Sequence, residues 1–403
     1  MTANWANQTI WTGDNLPIMR GMNSASVDLI YLDPPFNSKA NYAAPIGSKA
    51  AGAEFKDTWT LSDVDAEWVN LIESKHPALH RVLLAAMTDS DKSYLAYMAV
   101  RLLEMKRVLK DTGSIYLHCD PTMSHYLKLV MDAIFGRKSL RNEIYWYYYN
   151  KLHDRRKPLF PRATDSLLFY TTGEARHTFN TLEEKRDKPV KQLKRVKRDG
   201  KAVNVRDGEG KLVYNIRTHR HIDNVWRIPA LQPASPERLD YPTQKPVKLL
   251  SRLILASSNE DDMVLDPFCG CATACIAAQA EKRQWVGIDV SPKAAELVRY
   301  RFHKEMNLFF DGTVRTDIPQ RTDLGPLRRA NHPDNKKHLY GEQEGHCAGC
   351  NTHFEARNLE VDHIIARGKG GTDHLANLQL LCGSCNRIKG DRGMEYLHVK
   401  LQL

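Results

Sequence analysis

The sequence predicts an α/β fold followed by a small metal-stabilised module. Over residues 1–310, apolar runs alternate with segments of helical period, and several runs end in an acidic residue or a turn. The end of the chain contains two Cys-x-x-Cys pairs, which usually bind metal in a reducing compartment. A chain of 403 residues also exceeds the usual size of a single domain, so two or three domains are expected.

The first half of the chain alternates strands and helices. Residues 27–33, VDLIYLD, form a continuous apolar run that ends in a polar turn, as a buried parallel strand does. One helical period begins at the candidate N-cap Asp91, and another ends at Gly136. The expected elements are a strand at 27–33, a helix at 91–110, a strand at 113–119, a helix at 124–136, and antiparallel strands at 142–150 and 165–173.

The α/β pattern returns near residue 247. A helix is expected at 247–258, and strands are expected at 263–268 and 284–290. Residues 311–340 lack periodicity and are rich in Pro, Asp and Arg, which predicts a linker. The predicted division is a domain at 1–310, a linker at 311–340 and a module at 341–403.

A basic segment interrupts the first domain. The formal net charge is +10, and residues 176–221 hold fourteen Lys or Arg against six Asp or Glu. Such a segment is either a solvated insertion or a surface for a polyanion such as nucleic acid. The N-terminal residues show no secretory signal, and no stretch is apolar enough to span a bilayer. These features predict a soluble, cytoplasmic protein without a membrane partner.

Residues 263–274, MVLDPFCGCATA, predict a binding site for a nucleoside. A strand, a turn of small residues and the start of a helix follow one another, so the backbone can approach a ligand at the helix N-terminus. Asp289 ends the next strand, where an acidic residue usually binds ribose hydroxyls. The alternative is a turn whose small residues serve only close packing.

Three motifs together resemble one enzyme family. DPPF at 33–36, YPTQKPVKLL at 241–250 and DPFCGCATA at 266–274 occur in the order found in the β class of S-adenosylmethionine-dependent DNA amino-methyltransferases. The resemblance extends to about residue 305. It implies a Rossmann-like methyltransferase fold with permuted motif order, a mostly parallel sheet with a β-hairpin, and double-stranded DNA as the partner. The insertion at about 150–228 would recognise the target sequence.

The DPPF motif would then carry the catalytic groups. An exocyclic amino group is a weak nucleophile because its lone pair is conjugated into the ring. The Asp33 carboxylate and the Pro34 carbonyl would accept its two N–H bonds, while Pro34 and Pro35 keep the backbone rigid. Phe36 would stack on a base turned out of the duplex. Asp at position 33 favours adenine N6 over cytosine N4 within the family; a purely structural turn with Phe36 in the core is the alternative.

The resemblance also implies a set of cofactor-binding residues. The set comprises Asp14 near the adenine, Asp289 at the ribose, Asp266, Phe268 and Gly270 around the methionine end, and Thr243, Gln244 and Lys245 over the cofactor's carboxylate. Two residues depart from the family's pattern. Cys271 stands where Ser is frequent, and Ala272 stands where a second glycine is common, so a tighter turn is expected.

The C-terminal cysteines predict one structural zinc ion. Four thiolates in two Cys-x-x-Cys pairs suit a tetrahedral site, and four buried free cysteines are the alternative. The predicted ligands are Cys347, Cys350, Cys382 and Cys385. A module of this size has little core of its own, so metal would contribute much of its stability.

The sequence around these cysteines closely resembles the HNH nucleases, which have a ββα-metal fold. The matching stretches are LEVDHIIARGKGG and NLQLLCGSCNRIKGD. The resemblance implies His363 as general base and Asn377 as the residue that orients it, with Asp362 and Asn386 as ligands of Mg²⁺ or a similar ion. Arg367, Arg387 and Lys389 are expected to contact phosphates.

The sequence thus predicts a DNA methyltransferase joined to an HNH nuclease, as in a fused restriction-modification protein. One HNH site cuts one strand, so cleavage of both strands would need a homodimer or two nicks. Three alternatives are open. The protein could be an orphan methyltransferase whose zinc module only binds DNA, a nuclease with a cofactor-gated scaffold, or an RNA methyltransferase.

Overall fold

The computed structural model describes residues 2–37, 40–44, 48–51, 54–57, 72, 76–151, 158, 160–173, 176–198, 200–306, 309–324, 328–369 and 371–401. The helices within these residues are α1 (Asn15–Gly21), α2 (Pro77–Leu84), α3 (Asp89–Val108), α4 (Ser124–Phe135), α5 (Val247–Ser257), α6 (Thr273–Ala280), α7 (Lys293–Met306), α8 (Pro333–Glu342), α9 (Gly383–Lys389) and α10 (Met394–Leu401). None of these described helices is long and apolar enough to cross a membrane.

The strands within the same residues are β1 (Thr9–Thr12), β2 (Val27–Leu32), β3 (Ala40–Ala43), β4 (Glu54–Asp57), β5 (Leu109–Cys119), β6 (Leu140–Tyr147), β7 (Thr164–Thr171), β8 (Glu183–Leu193), β9 (Arg195–Arg198), β10 (Lys201–Asn204), β11 (Tyr214–His221), β12 (Val225–Arg227), β13 (Met263–Asp266), β14 (Gln284–Asp289), β15 (Thr313–Arg315), β16 (Leu359–His363) and β17 (Leu378–Cys382).

One mixed sheet forms the centre of the larger domain. Its strands lie in the order β12–β6–β7–β5–β2–β13–β14–β1–β15. β7 runs antiparallel to both of its neighbours, β6 and β5, and the other adjacent pairs run parallel. This arrangement confirms the predicted α/β fold with a mostly parallel sheet and a β-hairpin.

The expected elements are present, with boundaries shifted by up to four residues, and two of these shifts have a clear local cause. α3 begins at Asp89 rather than at Asp91, because the Thr88 hydroxyl accepts the Asp91 N–H at 3.1 Å and caps the helix. β5 begins at Leu109, where the backbone turns from helical to extended and passes directly into the strand. Gly136 ends α4 with φ +91°, as predicted.

Two apolar layers cover the sheet. Alternate residues of β2 point to opposite faces: Ile30 and Leu32 join one buried cluster, whereas Leu29 and Tyr31 join another. The first cluster includes α1, α3 and α4, and the second includes α5, α6 and α7. Because β2, β5, β13 and β14 run parallel, their carboxyl ends meet at one edge of the sheet, where ligands of such folds bind.

The basic insertion folds as an exposed β ribbon. β8 pairs antiparallel with β11, and β9 pairs with β10; most of their side chains are exposed. At the base of the ribbon, the Ile222 N–H donates to the Leu182 carbonyl at 3.0 Å. The chain then returns as β12, which pairs with β6 and buries Trp226. Residues 152–157, near the start of the predicted insertion, lie outside the described residues.

The predicted linker at 311–340 contains a strand, part of a helix and several polar contacts among its described residues. β15 extends the sheet beside β1. The Asn4 amide donates to the Gln320 carbonyl at 2.7 Å, and the Asn23 amide donates to the Thr322 hydroxyl at 2.8 Å. α8 belongs to the C-terminal module, whose core includes Leu339. The segment lacks apolar periodicity because polar contacts to the start of the chain hold much of it.

The C-terminal module is an antiparallel strand pair surrounded by short helices. β16 pairs with β17, and Leu359, Leu380 and Leu397 form part of a small buried core with the cysteines. Ile365 lies outside that core and is buried in the cluster that contains α1, α3 and α4 of the larger domain. The loop that follows β16 therefore packs against the larger domain.

Candidate active site and metal centre

The acidic residues singled out in the sequence lie at strand ends on one edge of the sheet. Asp33 follows β2, Asp266 ends β13 and Asp289 ends β14. β2 is parallel to β5 with Leu32 opposite Leu117, so His118 lies next to the position of Asp33. Residues separated by more than two hundred positions are brought together because the parallel strands place their carboxyl ends side by side.

Asp33 has one oxygen engaged and one left open. The Lys245 ammonium donates to its Oδ2 at 2.5 Å and to the Thr243 carbonyl at 3.1 Å. Oδ1 of Asp33 is buried and accepts no hydrogen bond from any residue that the structure describes. A buried acceptor without a donor is costly, which indicates that a ligand supplies the donor.

The DPPF loop is fixed on both sides of its aromatic residue. The Phe36 ring centroid lies 6.1 Å from that of His118, and the Lys245 nitrogen lies 5.6 Å from the Phe36 centroid. The Asn37 amide donates to Asp91 at 2.9 Å, and this bond attaches the loop to α3. Phe36 is partly exposed, so the alternative of a wholly buried core residue does not describe it.

A buried histidine, His118, lies next to the ring of Phe36. His118 has no solvent exposure; its Nδ1 lies 3.1 Å from the Tyr31 hydroxyl, and its Nε2 lies 3.3 Å from Oδ2 of Asp165. The Tyr148 hydroxyl donates to the other Asp165 oxygen at 3.2 Å. Although burial opposes it, hydrogen bonding to His118 and then to Tyr148 lowers the pKa of Asp165. The imidazole is therefore held between two fixed partners.

Sequence reasoning missed this cluster. His118 lies inside a strand pattern, where a lone histidine gives no signal of function, and Asp165 and Tyr148 lie on the hairpin β6–β7. The available hint was that His118 lies near the end of β5 and Asp120 directly follows the strand, at the edge where strand-end ligands are expected.

The predicted cofactor turn is tight, as expected from its sequence. Gly270 has φ +49°, and a Cβ there would lie 2.9 Å from the Tyr241 ring, so only glycine fits. Ala272 has φ +57°, the left-handed region that glycine would occupy without strain, and α6 starts immediately after it. Ala272 stands where the family commonly has a second glycine, and the backbone at this alanine is therefore strained.

Two carboxyls flank this turn: Asp266 is buried and Asp289 is half-buried. Asp289 accepts the Gly270 N–H at Oδ2 and the Ser291 N–H at Oδ1, both at 2.8 Å. Burial raises the pKa of Asp289, and these two backbone hydrogen bonds oppose the rise. Burial also raises the pKa of Asp266, whose Oδ1 accepts the Phe268 N–H at 3.1 Å.

The remaining predicted cofactor residues have structural partners as well. Asp14 caps α1 by accepting the Leu16 N–H at 3.0 Å, and the same oxygen accepts from Arg101 at 2.7 Å. Arg101 was not anticipated; it also holds Asn15 at 2.7 Å. Both ends of the Gln244 amide bond to the loop backbone at 237–239, so its amide holds the loop that carries Thr243 and Lys245.

The fold and the strand-end site have the features of a methyltransferase. An acidic DPPF loop and a glycine turn share one edge of a mostly parallel sheet, with the motif order of a methyltransferase. A family model described as DNA methylase matches residues 27–299, and a model described as HNH endonuclease matches residues 347–392. The chain belongs to the DNA methylase family, and it carries a C-terminal HNH domain.

Relatives of known name align with most of the larger domain. Type II methyltransferase M.HpaI of Haemophilus parainfluenzae is 28% identical over 303 residues, which cover 75% of this chain and 76% of that protein. DNA adenine methyltransferase YhdJ of Escherichia coli (strain K12) is 25% identical over 292 residues, covering 70% and 79%. The solved PvuII DNA methyltransferase (cytosine-N4-specific) aligns with a TM-score of 0.46 and 15% identity, over 77% of this chain and 95% of that one.

The four C-terminal cysteines come together in the structure. Their sulfur atoms lie within 4.8 Å of one another, and three of the four residues are buried. Cys347 Sγ accepts the N–H groups of Cys382 at 3.2 Å and of Gly349 at 3.4 Å, which orients it toward its partners. Four converging sulfurs with N–H donors behind them form a donor set that fits a tetrahedral metal ion.

The predicted divalent-ion site of the HNH domain is arranged differently. Oδ2 of Asp362 accepts from Lys389 at 3.1 Å and from Gln379 at 2.9 Å, and Lys389 is fully buried. The Asn386 amide donates to Glu360 at 2.6 Å. The Lys389 ammonium thus occupies a cation position beside Asp362, so these residues do not fit a divalent ion as they stand. The expected phosphate contact of Lys389 is corrected by the same observation.

His363 and Asn377 lie in a connected loop. His363 Nε2 lies 2.8 Å from Oδ1 of Asp373, and Arg367 donates to both oxygens of Asp373 at 2.9 and 2.6 Å. Arg367 is therefore paired within the domain instead of lying free for phosphate. Asn377 bonds to the backbone of Ile365 in both directions, at 3.0 and 3.1 Å, and so shapes the loop beside His363.

Proposed function

We propose that this protein transfers a methyl group from S-adenosylmethionine to an exocyclic amino group of a DNA base, with adenine N6 favoured over cytosine N4. The observation that carries the proposal is the open oxygen of Asp33, buried next to Phe36 at the end of β2. An amino group offers the N–H donor that this oxygen lacks.

The residues divide the work between positioning and activation. Phe36 stacks on a base that has left the duplex, because a stacked base hides its amino group. Asp33 Oδ1 accepts one N–H and the Pro34 carbonyl accepts the other, which makes the nitrogen lone pair available. When bound, S-adenosylmethionine supplies the methyl group, whose carbon–sulfur bond breaks as the bond to nitrogen forms. The nitrogen then loses one proton to water.

The chemistry of the strand-end residues fits this cofactor. Asp289 has both oxygens fixed by backbone N–H groups, and each oxygen keeps a lone pair for a ribose hydroxyl. Asp266 is buried at the next strand end, beside the glycine turn, where it would face the methionine end. Lys245 contacts both Asp33 and the Thr243 carbonyl, which supports neighbouring positions for the cofactor and the base.

Adenine is favoured because Asp33 begins a DPPF motif and because a relative is named as a DNA adenine methyltransferase. Double-stranded DNA is the expected substrate, and the exposed basic ribbon β8–β11 would contact its phosphates. We assign one zinc ion to the four C-terminal thiolates, where it would stabilise the HNH domain.

DNA cleavage by the HNH domain is a second candidate function. The His363–Asp373 pair favours it, since a carboxylate that orients an imidazole is the usual arrangement of a general base. The Lys389–Asp362 ion pair favours the rival, in which the domain only binds DNA. Double-strand cleavage would additionally need a homodimer or a second nick.

One experiment tests both functions. Purified protein is mixed with unmethylated plasmid, labelled S-adenosylmethionine and a series of divalent ions, and both label transfer and fragments are measured. Asp33→Ala should lower transfer about 10²–10³-fold, whereas the exposed control Asp89→Ala should not. Nucleoside analysis of the product distinguishes N6-methyladenine from N4-methylcytosine. Absence of transfer by the parent protein would refute the first function, and fragments that survive in His363→Ala would refute the second.

A further inference from the structure

We propose that Phe160 enters the DNA base stack and fills the space left when the target base moves to Phe36. The proposal rests on the proposed function, because only an enzyme that removes a base from the duplex needs such a side chain. Base-extruding and DNA-kinking proteins commonly insert an apolar side chain between bases.

Phe160 is the most exposed of the large apolar side chains in the described residues, at 97% of its possible area. Single exposed apolar side chains are common on protein surfaces, so the exposure of this ring makes it available for contact, and its position decides whether a partner is expected. Pro161 follows it and restricts the backbone, which lowers the entropy lost when the ring is ordered on a partner. The exposed ring and the following proline suit contact with a partner at a low entropic cost.

The position of Phe160 connects it to the base site. It lies in the 148–163 loop that joins β6 to β7. The Tyr148 N–H donates to the Ala163 carbonyl at 2.9 Å, so the two ends of this loop are joined. The Tyr148 hydroxyl donates to Asp165, which is the partner of His118 beside Phe36. Phe160 is within about 11 Å of Ala163, since an extended chain spans at most about 3.6 Å per residue.

Arg162, two residues after Phe160, attaches the loop to the end of β5. Its guanidinium lies 3.3 Å from Oδ2 of Asp120, and Asp120 follows His118 at the end of β5. Arg162 and Ala163, which lie two and three positions after Phe160, are thus both attached to residues around the base site. In sequence, residues 148–163 also contain five Lys or Arg against one Asp, a net charge that suits a DNA partner.

Phe309 provides a matched control. It is also a highly exposed phenylalanine, at 88%, but it follows α7 and precedes β15, which lies at the far edge of the sheet. Its ring has a neighbour, since its centroid lies 5.9 Å from that of His303. If only the loss of exposed apolar surface mattered, Phe160→Ala and Phe309→Ala would lower methyl transfer equally. If Phe160 inserts into the DNA, only Phe160→Ala would lower methyl transfer.

The test compares methyl transfer into two duplexes after the methylated site has been located by sequencing plasmid modified by the parent protein. One duplex is fully paired, and the other has an abasic position opposite the target base, so that removing the base is easy. Phe160→Ala should lower the transfer rate about 10–100-fold on the paired duplex and less than about threefold on the abasic one. Phe160→Leu should be intermediate, and Phe309→Ala should match the parent on both.

The outcomes separate this proposal from the proposed function. Equal rates for Phe160→Ala and the parent on the paired duplex would overturn the insertion role. An equal loss on both duplexes would also overturn it, because the defect would then lie outside base removal. Each variant's cofactor affinity and thermal unfolding are measured first and should be unchanged, since the ring is exposed. A parent protein that methylates no DNA would instead refute the proposed function.

Discussion

The Lys245 ammonium lies 2.5 Å from Oδ2 of Asp33, and the two residues are 212 positions apart in the sequence. Both side chains are largely buried, so the contact is a desolvated ion pair and not a surface salt bridge. The pair fixes the carboxylate so that Oδ1 is the buried oxygen that accepts no hydrogen bond from the described residues. Lys245 is therefore a positioning residue for Asp33, in addition to any contact with the cofactor.

Substitution of Lys245 should affect turnover more than cofactor binding. Lys245→Met removes the donor that orients Asp33, so kcat should fall about 10–100-fold. Lys245→Arg can still pair with a carboxylate and should restore part of the loss. Labelled-methyl transfer gives kcat, and calorimetry gives the affinity for S-adenosylmethionine. If Lys245→Met weakened cofactor affinity by the whole of that factor with kcat preserved, the positioning role would be wrong.

Cofactor affinity should decline as the pH is lowered. Burial raises the pKa of Asp289, so its carboxylate takes up a proton at a higher pH than an ordinary aspartate, whose pKa is about 3.9. A protonated carboxyl accepts ribose hydroxyl bonds less well, so affinity should decline as the pH falls toward that raised pKa. Titration calorimetry between neutral and acidic pH should show this decline, and Asp289→Asn should flatten it, leaving any contribution of Asp266. An equally steep decline in Asp289→Asn would assign the dependence to another group.

Relief of the strained turn should stabilise the larger domain. Ala272 has φ +57°, which costs an alanine about 1–2 kcal/mol relative to glycine. Part of this gain is lost because glycine is more flexible in the unfolded chain, so Ala272→Gly should raise the free energy of unfolding by about 1 kcal/mol. Urea unfolding measures the change. The control Ala274→Gly, inside α6, should destabilise by about 1 kcal/mol or more; equal effects of both substitutions would contradict the strain.

Removal of metal should unfold the C-terminal module selectively. The module has a small core, so much of its stability is expected to come from the four thiolates and their ion. A chelator should release one zinc per chain and expose the module to proteolysis, while binding of S-adenosylmethionine by the larger domain continues. Cys382→Ser should have the same effect without chelator. A module that stays protease-resistant with no bound metal would show that packing alone holds it.

The sequence predicted the parts of the site that belong to motifs. Asp33, Asp266 and Asp289 could be placed at strand ends because each follows an apolar run, and parallel strands bring such ends together. The antiparallel hairpin β6–β7 and the turn at Gly136 followed from equally local patterns. These elements depend on short-range periodicity and turn chemistry, which a single sequence displays.

The parts that were missed depend on long-range contacts. His118 can be recognised as part of the site only from the structure, in which Asp165 on the antiparallel neighbour strand contacts its ring. Lys389 looked available for phosphate until the fold buried it against Asp362. The segment at 311–340 looked like a linker because several of its contacts, such as those to Asn4 and Asn23, are single hydrogen bonds that leave no periodic pattern in the sequence.

The closure of the basic ribbon by the Leu182–Ile222 hydrogen bond has a consequence for how such enzymes diversify. Both ends of the ribbon meet at one point, and β12 restores the sheet immediately afterwards. The strands beyond that point can change in length or sequence without moving Asp33 or Asp289. If the ribbon contacts DNA as proposed, exchanging this one segment between relatives is expected to change the target preference while Asp33 and Asp289 stay in place.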